Sequence, residues 1–352
     1  MSHIFRDLLK KVGSGTHTSK DLTRSEAEQA TRMMLLEEAT PAQIGAFMIA
    51  HRIKRPTPPE IAGILDAYEA LGPRLQVFPQ TAYPVTVLGI PYDGRSRTAP
   101  ISPIVALMLA VSQVPVILHG GITMPTKYGM PLNTVWQGLG WDFTQLSQAQ
   151  IETIFAQTHF GFVYLPTLFP QAHNLVQYRD QIGKRPPTAT AELVWSPYAG
   201  KVHLVAGYVH PPTETRFHEV FSLRGMENYT LVKGLEGSCD LPRDRTALIA
   251  VHRSESHEFE HLKLHPRDYG FAGSEVPFTT PEAYLELLQS AIANQPSELR
   301  QAAIWNGGFY LWRCGVCVDL TAGFEQAELL LSSGKVQAKV QEIREAIEQE
   351  SP

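Results

Sequence analysis

The stretch that most constrains this chain runs from residue 85 to 129, VTVLGIPYDGRSRTAPISPIVALMLAVSQVPVILHGGITMPTKYG. A hydrophobic run with Val85, Val87 and Leu88 enters a turn over Gly89 to Gly94. Ser102 then opens an apolar helical stretch, and Val114 to Leu118 reads as the next strand. Strand, loop, helix and strand in this order form the frame that holds a phosphorylated ligand at a helix N-terminus, where free N–H groups and the helix dipole favour negative charge.

The pattern continues beyond this unit. Candidate strands fall at 85–89, 114–118, 161–165, 202–207, 229–233 and 246–251. Helical spacing marks 102–111, 131–139, 149–157, 215–224, 281–291, 298–318, 324–333 and 335–349. Alternation of this kind predicts an α/β domain around a mostly parallel sheet. Residues 252–280, rich in His, Glu and aromatic side chains, break the alternation and read as an inserted arm or hairpin.

Residues 1–75 differ. Thr23 with Glu26 is a capping box, Thr40-Pro41 repeats a cap followed by proline, and Thr57-Pro58-Pro59 opens a further helix with Ile61, Ile64, Leu65 and Tyr68 as its apolar stripe. At 352 residues, 43% of them hydrophobic, the chain can bury a core large enough for two domains. The division expected is a helical domain over 1–75, joined by part of 167–190, and an α/β domain over 80–352. The apolar stripes in 25–70 suit a homodimer through the helical domain.

A formal net charge of −5 gives no global field toward nucleic acid or anionic membrane. MSHIFRDLLKK lacks a signal-peptide pattern and no apolar run is long enough to span a bilayer, so a cytoplasmic location is expected. Cys314 and Cys317 form a lone C-x-x-C within the apolar 302–320 stretch. They are expected inside a helix as packing residues, because no second pair completes a zinc site.

The motifs resemble those of the anthranilate phosphoribosyltransferase family, whose loop reads Gly-Thr-Gly-Gly-Asp-Gly, followed by Asn-Ile-Ser-Thr and Lys-His-Gly-Asn-Arg. Gly89, Asp93, Gly94, Ile101, Ser102, His119 and Gly120 match, and AQIGAFMIAHRIK with PEIAG matches the helical domain. The resemblance spans about residues 5 to 340. It implies the fold of nucleoside phosphorylases and phosphoribosyltransferases, with phosphoribosyl pyrophosphate as donor and Mg2+ as its counterion. Gly89, Asp93, Gly94, Arg95, Arg97, Ser102, Gly120, Thr126 and Lys127 would contact the donor, with Asp93 on ribose hydroxyls or loop backbone.

The departures are chemical. Pro91 has no N–H to offer a phosphate, Tyr92 adds bulk, and Leu118 stands where the family has a lysine. In VKGLEGSCDLP, Cys239 and Asp240 stand at the family's magnesium-binding Asp-Glu pair, which leaves Asp240 with nearby Glu236 as metal ligands. In YLPTLFPQAHNLVQYRDQIGKRPPTATAELVWSP, Phe169 and Asn174 occupy the acceptor-pocket histidine positions, His173 is adjacent, and Arg185 is retained to orient the acceptor.

The resemblance thus implies a pentosyl or phosphoribosyl transferase with an acceptor other than anthranilate, with Arg185 and His119 as its catalytic pair. The loop PYDGRSRTAP also resembles a divergent branch with basic residues in this turn. That resemblance implies a non-catalytic dimer binding a nucleotide or single-stranded nucleic acid, with Arg95, Arg97, Lys127, Lys184 and Arg185 on phosphates.

Overall fold

The computed structural model describes residues 3–15, 17–77, 81–253 and 259–351. Four helices begin the chain: α1 (His3–Gly13), α2 (Arg24–Leu35), α3 (Pro41–Lys54) and α4 (Pro58–Leu71). Their starts follow from local chemistry. Thr23, Thr40 and Thr57 are N-caps whose capping boxes close through Glu26, Gln43 and Glu60, and Pro41 and Pro58 occupy first-turn positions where a missing N–H costs nothing. Helix α2 packs along α4 and α1 along α3.

Glu60 ties this domain together from a fully buried position. It accepts from Lys54 at 2.8 Å, Leu22 N–H at 2.9 Å and Thr57 N–H at 2.6 Å, with His51 Nε2 at 3.5 Å. Burial alone would raise its pKa, but His51, Lys54 and Leu22 N–H outweigh that and bring it from 4.5 down to about 2. A carboxylate depressed on folding stabilises above its unfolded pKa and loses that stability as pH falls toward the folded value. Glu60 therefore contributes about 3 kcal/mol that disappears between roughly pH 4.5 and 2. Acid titration followed by circular dichroism should show Glu60→Gln unfolding with a shallower pH dependence than the native chain in that window.

The remainder alternates. After β1 (Val85–Gly89) come α5 (Ser102–Val111), β2 (Val116–Gly120), α6 (Leu132–Gly138), α7 (Gln148–Thr158) and β3 (Phe160–Tyr164). Short helices α8 (Leu165–Leu168), α9 (Pro170–Asn174), α10 (Val176–Gln181) and α11 (Thr188–Ala191) follow. Then come β4 (Val202–Gly207), α12 (Pro211–Leu223), β5 (Tyr229–Val232), β6 (Ala247–His252) and β7 (Phe259–Leu264). Four helices close the chain: α13 (Pro281–Ile292), α14 (Glu298–Arg313), α15 (Leu320–Ser332) and α16 (Lys335–Glu350).

Among the described residues one sheet has the order β3-β2-β1-β4-β5-β6-β7, parallel through β5 and antiparallel from β5 to β7. Strands β1 to β5 are buried along their whole length, as expected where both faces are covered. Helix α5, nearly all apolar, is buried from Ser102 to Ala110 and packs against α14 and α16. Helix α12 lies on α4, and α9 and α10 pack on α2 and α3. None of the helices is long and apolar enough to cross a membrane, among the described residues.

The segment 252–280, read as an inserted arm or hairpin, contributes a strand, β7, that pairs antiparallel with β6; residues 254–258 lie outside the described residues. Two expectations change. Helix α14 ends at Arg313, with Cys314 as its C-cap and Gly315 at φ +85°, so the cysteine pair sits at and beyond a helix end rather than inside it. The thiols are nonetheless pushed up by burial. Strand β2 lies two residues later than read from Val114, because Pro115 cannot donate to a ladder.

Candidate functional site

The strand order reverses between β1 and β4: the chain proceeds from β1 outward to β2 and β3, then returns to the other side of β1. Register places Gly89 beside Ala206, so the loops after β1 and β4 leave the same sheet edge side by side. The loop after β5 joins them there. Ligands of open α/β sheets bind at such a reversal.

The β1–α5 loop is closed by the chain's own carboxylates. Asp240 sits at the N-terminus of α5, where its Oδ2 accepts from Ile101 N–H at 3.0 Å and its Oδ1 from the Ser102 hydroxyl. Glu236 fills a concavity of backbone donors. Its Oε1 accepts from Arg97 N–H at 3.0 Å, Thr98 N–H at 2.9 Å and the Thr98 hydroxyl at 2.9 Å. Its Oε2 accepts from Ser96 N–H at 3.3 Å. These are the two cradles an anion would use at such a loop, a nest and a helix N-terminus.

Arg95 lies between the two carboxylates, 2% exposed. Its guanidinium donates to Asp240 at 2.5 Å, Ser238 Oγ at 2.7 Å, Glu236 at 3.3 Å and the Thr98 hydroxyl. Lys127 adds a second cation, 2.6 Å from Glu236, and donates to Gly94 O at 2.8 Å. Burial would raise the Glu236 carboxyl, but Lys127 and Thr98 outweigh it and hold it well below the usual carboxylate range. Glu236 also stands at φ +54°, a conformation that costs a non-glycine residue of order 1 kcal/mol or more and persists where surrounding contacts over-determine it. Its ring of donors does so. Residues 276–278 brace the loop from outside, with Ala99 N–H donating to Val276 O and Phe278 N–H to Arg97 O.

Carboxylates engaged in this way do not fit a magnesium ion. Mg2+ needs near-octahedral oxygen ligands with free lone pairs, whereas both oxygens of Asp240 and of Glu236 already accept from protein donors. Cys239 offers no replacement, because burial pushes its thiol up to about 12.

Beside the loop lies a cleft of about 240 Å³ whose wall includes Arg52, Asp93, Arg185, Tyr208, His210 and Thr213. Arg185 is 53% exposed and pairs with buried Asp93 at 3.0 Å. Arg52, from α3, donates to Arg185 O at 2.6 Å, so the helical domain contributes to the cleft directly. Helix α12 starts at this wall after His210 and has no side-chain cap. Tyr208 donates to Glu214 in its first turn, and that contact together with burial raises the phenol.

The residues singled out from sequence separate into three groups. Asp93 and Arg185 line the cleft, and Glu236 of the closed network also reaches its wall. Arg95, Ser102, Lys127, Glu236 and Asp240 form the closed network, while Arg97 is exposed beside it, 3.7 Å from Glu236. The others lie elsewhere. Gly89 presses against backbone, since a Cβ there would stand 1.9 Å from Leu193 O, and Gly94, at φ +68°, meets Met130 O. Gly120 ends β2, and Thr126 is exposed in the following turn.

His119 is buried. Its Nε2 donates to Trp195 O at 3.1 Å and its Nδ1 accepts from the Tyr92 hydroxyl, and burial brings its pKa from 6.5 down to about 4. It is a neutral core histidine with both nitrogens engaged. Phe169 packs edge-on against Tyr68 in the core, and Asn174 donates to Glu37 of the helical domain at 3.0 Å. His173, on the same short helix, has its pKa lowered by burial. None of these three lines the cleft with Arg185. Arg52, Tyr208 and His210 were missed. The last two follow the strand read at 202–207, and the carboxyl end of a parallel strand was the signal available.

Residues 6–72 match the helical bundle domain of the glycosyl transferase family, and residues 93–337 match the α/β domain of the glycosyl transferase family. The chain is 27% identical over 352 residues to the anthranilate phosphoribosyltransferase of Azorhizobium caulinodans, covering 99% of this chain and 98% of that one. It is 26% identical over 331 residues to an uncharacterized protein of Aquifex aeolicus, covering 92% and 98%. Among solved structures, anthranilate phosphoribosyltransferase from Thermus thermophilus superposes with a TM-score of 0.80 at 19% identity, covering 97% and 99%. The Saccharomyces cerevisiae enzyme in complex with PRPP and Mg superposes at 0.83 with 14% identity, covering 99% of each chain.

Proposed function

This chain belongs to the glycosyl transferase family built from a helical bundle domain and an α/β domain, the family of the anthranilate phosphoribosyltransferases, and on that premise we propose that it binds a phosphorylated pentose or nucleotide in the Arg185 cleft without phosphoribosyl transfer to anthranilate. One observation carries the reading. The nest and the helix N-terminus of the β1–α5 loop hold Glu236 and Asp240, so a donor pyrophosphate would have to displace two buried carboxylates. The adjacent cleft instead offers the half-exposed Arg185 together with Arg52.

In the cleft Arg185 would engage a phosphate in a charge-assisted hydrogen bond, held in position by Asp93 and by Arg52 behind its carbonyl. Calorimetric titration with ribose 5-phosphate and with nucleotides tests this. A charge-assisted hydrogen bond is worth about 1.5–3 kcal/mol, so Arg185→Ala should weaken binding by about tenfold or more. No heat from any of these ligands at millimolar concentration would sink the proposal. Single-stranded nucleic acid presents the same phosphates, and an oligonucleotide whose affinity falls steeply with added salt would identify it as the ligand.

A second reading, pentosyl transfer to an acceptor other than anthranilate, is favoured by Arg185 reaching the cleft from the segment that resembles the family's acceptor pocket. Release of pyrophosphate from phosphoribosyl pyrophosphate would support it.

Self-association belongs to the same proposal. Ile4 and Leu36, 55% and 42% exposed, flank a surface groove between α1 and α2 that Glu28, Gln29, Arg32 and Glu38 also line, a mixed face suited to a second copy. Light scattering should give twice the chain mass, and Leu36→Glu should halve it; a monomeric native chain at micromolar concentration would be the contrary result.

A further inference from the structure

We propose that Arg95 and Lys127 together stand in the place of a divalent cation, so that the loops after β1 and β5 are bridged without metal. The charges match. One guanidinium and one ammonium supply the same formal charge as a single divalent ion, and they face two carboxylates. The positions match as well. Arg95 leaves the β1–α5 loop and reaches Asp240 at 2.5 Å and Glu236 at 3.3 Å on the loop after β5, which is the bridging contact a metal would make.

Specific chemistry favours the guanidinium here. A planar fork reaches two separated acceptors at once and desolvates more readily than an ammonium. Arg95 also donates to Ser238 Oγ and the Thr98 hydroxyl, so its donors are spread over four partners in a site closed to solvent. A divalent ion entering this site would have to strip Asp240 from Arg95, Ile101 N–H and Ser102. It would also meet two fixed positive charges.

The inference rests on the carboxylate geometry and not on which ligand the cleft takes, so its test uses Mn2+ alone. Titration of the free Mn2+ spin-resonance signal should show no saturable uptake by the native chain at submillimolar concentration. Arg95→Ala should bind one Mn2+ per chain at least tenfold more tightly than the native chain, and Arg95→Ala with Asp240→Asn should lose that uptake. Arg95→Gln, which keeps length and a donor but no charge, provides the same comparison if the alanine variant does not fold. Saturable uptake by the native chain that Asp240→Asn removes would overturn the proposal. So would a folded Arg95→Ala or Arg95→Gln chain that takes up no Mn2+.

Discussion

Replacing Arg95 by alanine should destabilise the α/β domain by about 3–5 kcal/mol, the cost of leaving a buried ionic network without one partner. Arg95 is fully buried, and its removal leaves Asp240 and Glu236 as desolvated carboxylates held only by neutral donors, Lys127 and the peripheral Arg97. Chemical denaturation followed by tryptophan fluorescence measures the loss, because Trp305 and Trp136 lie in the core of this domain. Arg97→Ala is the control. Arg97 is 78% exposed and 3.7 Å from the same Glu236, so it should cost no more than about 0.5 kcal/mol. Equal effects from the two arginines would mean that the network contributes nothing beyond general charge.

A tryptophan auxotroph lacking anthranilate phosphoribosyltransferase should not grow without tryptophan when it expresses this chain. Loss of one preorganised donor at a site of developing charge costs on the order of a hundredfold to a thousandfold in rate. Here several losses coincide. Pro91 brings no N–H to the loop, the nest at 96–98 is filled by Glu236, and the helix N-terminus is filled by Asp240. Together these place anthranilate transfer more than about a thousandfold below what growth on the family reaction would draw on. Robust growth, reproduced by purified protein forming phosphoribosylanthranilate, would overturn the reading and show that Glu236 and Asp240 leave their cradles when substrate arrives.

Much of the architecture was legible because it depends on local order. Capping threonines at 23, 40 and 57 start their helices through contacts three residues away, and the mostly apolar runs of β1, β2 and β4 suit strands buried on both faces. The hairpin reading of 252–280 left the bounds of strand β7 open, because FEHLKL has mixed polarity and its pairing with β6 supplies what its pattern lacks. The chemical departures at Pro91, Leu118 and Cys239 were equally plain, since each is a change of residue type at a matched position.

What the sequence could not contain was the identity of each side chain's partner. Arg95, Arg97 and Lys127 read as three cations free to meet phosphate, and only the packed loops turned two of them inward onto Glu236 and Asp240, about 140 and 110 positions away along the chain. His119 matched a family motif, yet the fold encloses it between Tyr92 and Trp195 O and keeps it neutral. Arg52, in a helix of the other domain, became part of the cleft only through its contact with Arg185 O. The sequence determined the elements, their order and the types of charge available, because these follow from propensity and period. Tertiary structure alone decided which charges neutralise one another and which remain for a ligand, because that depends on distances between segments remote in the chain and on the water their packing excludes.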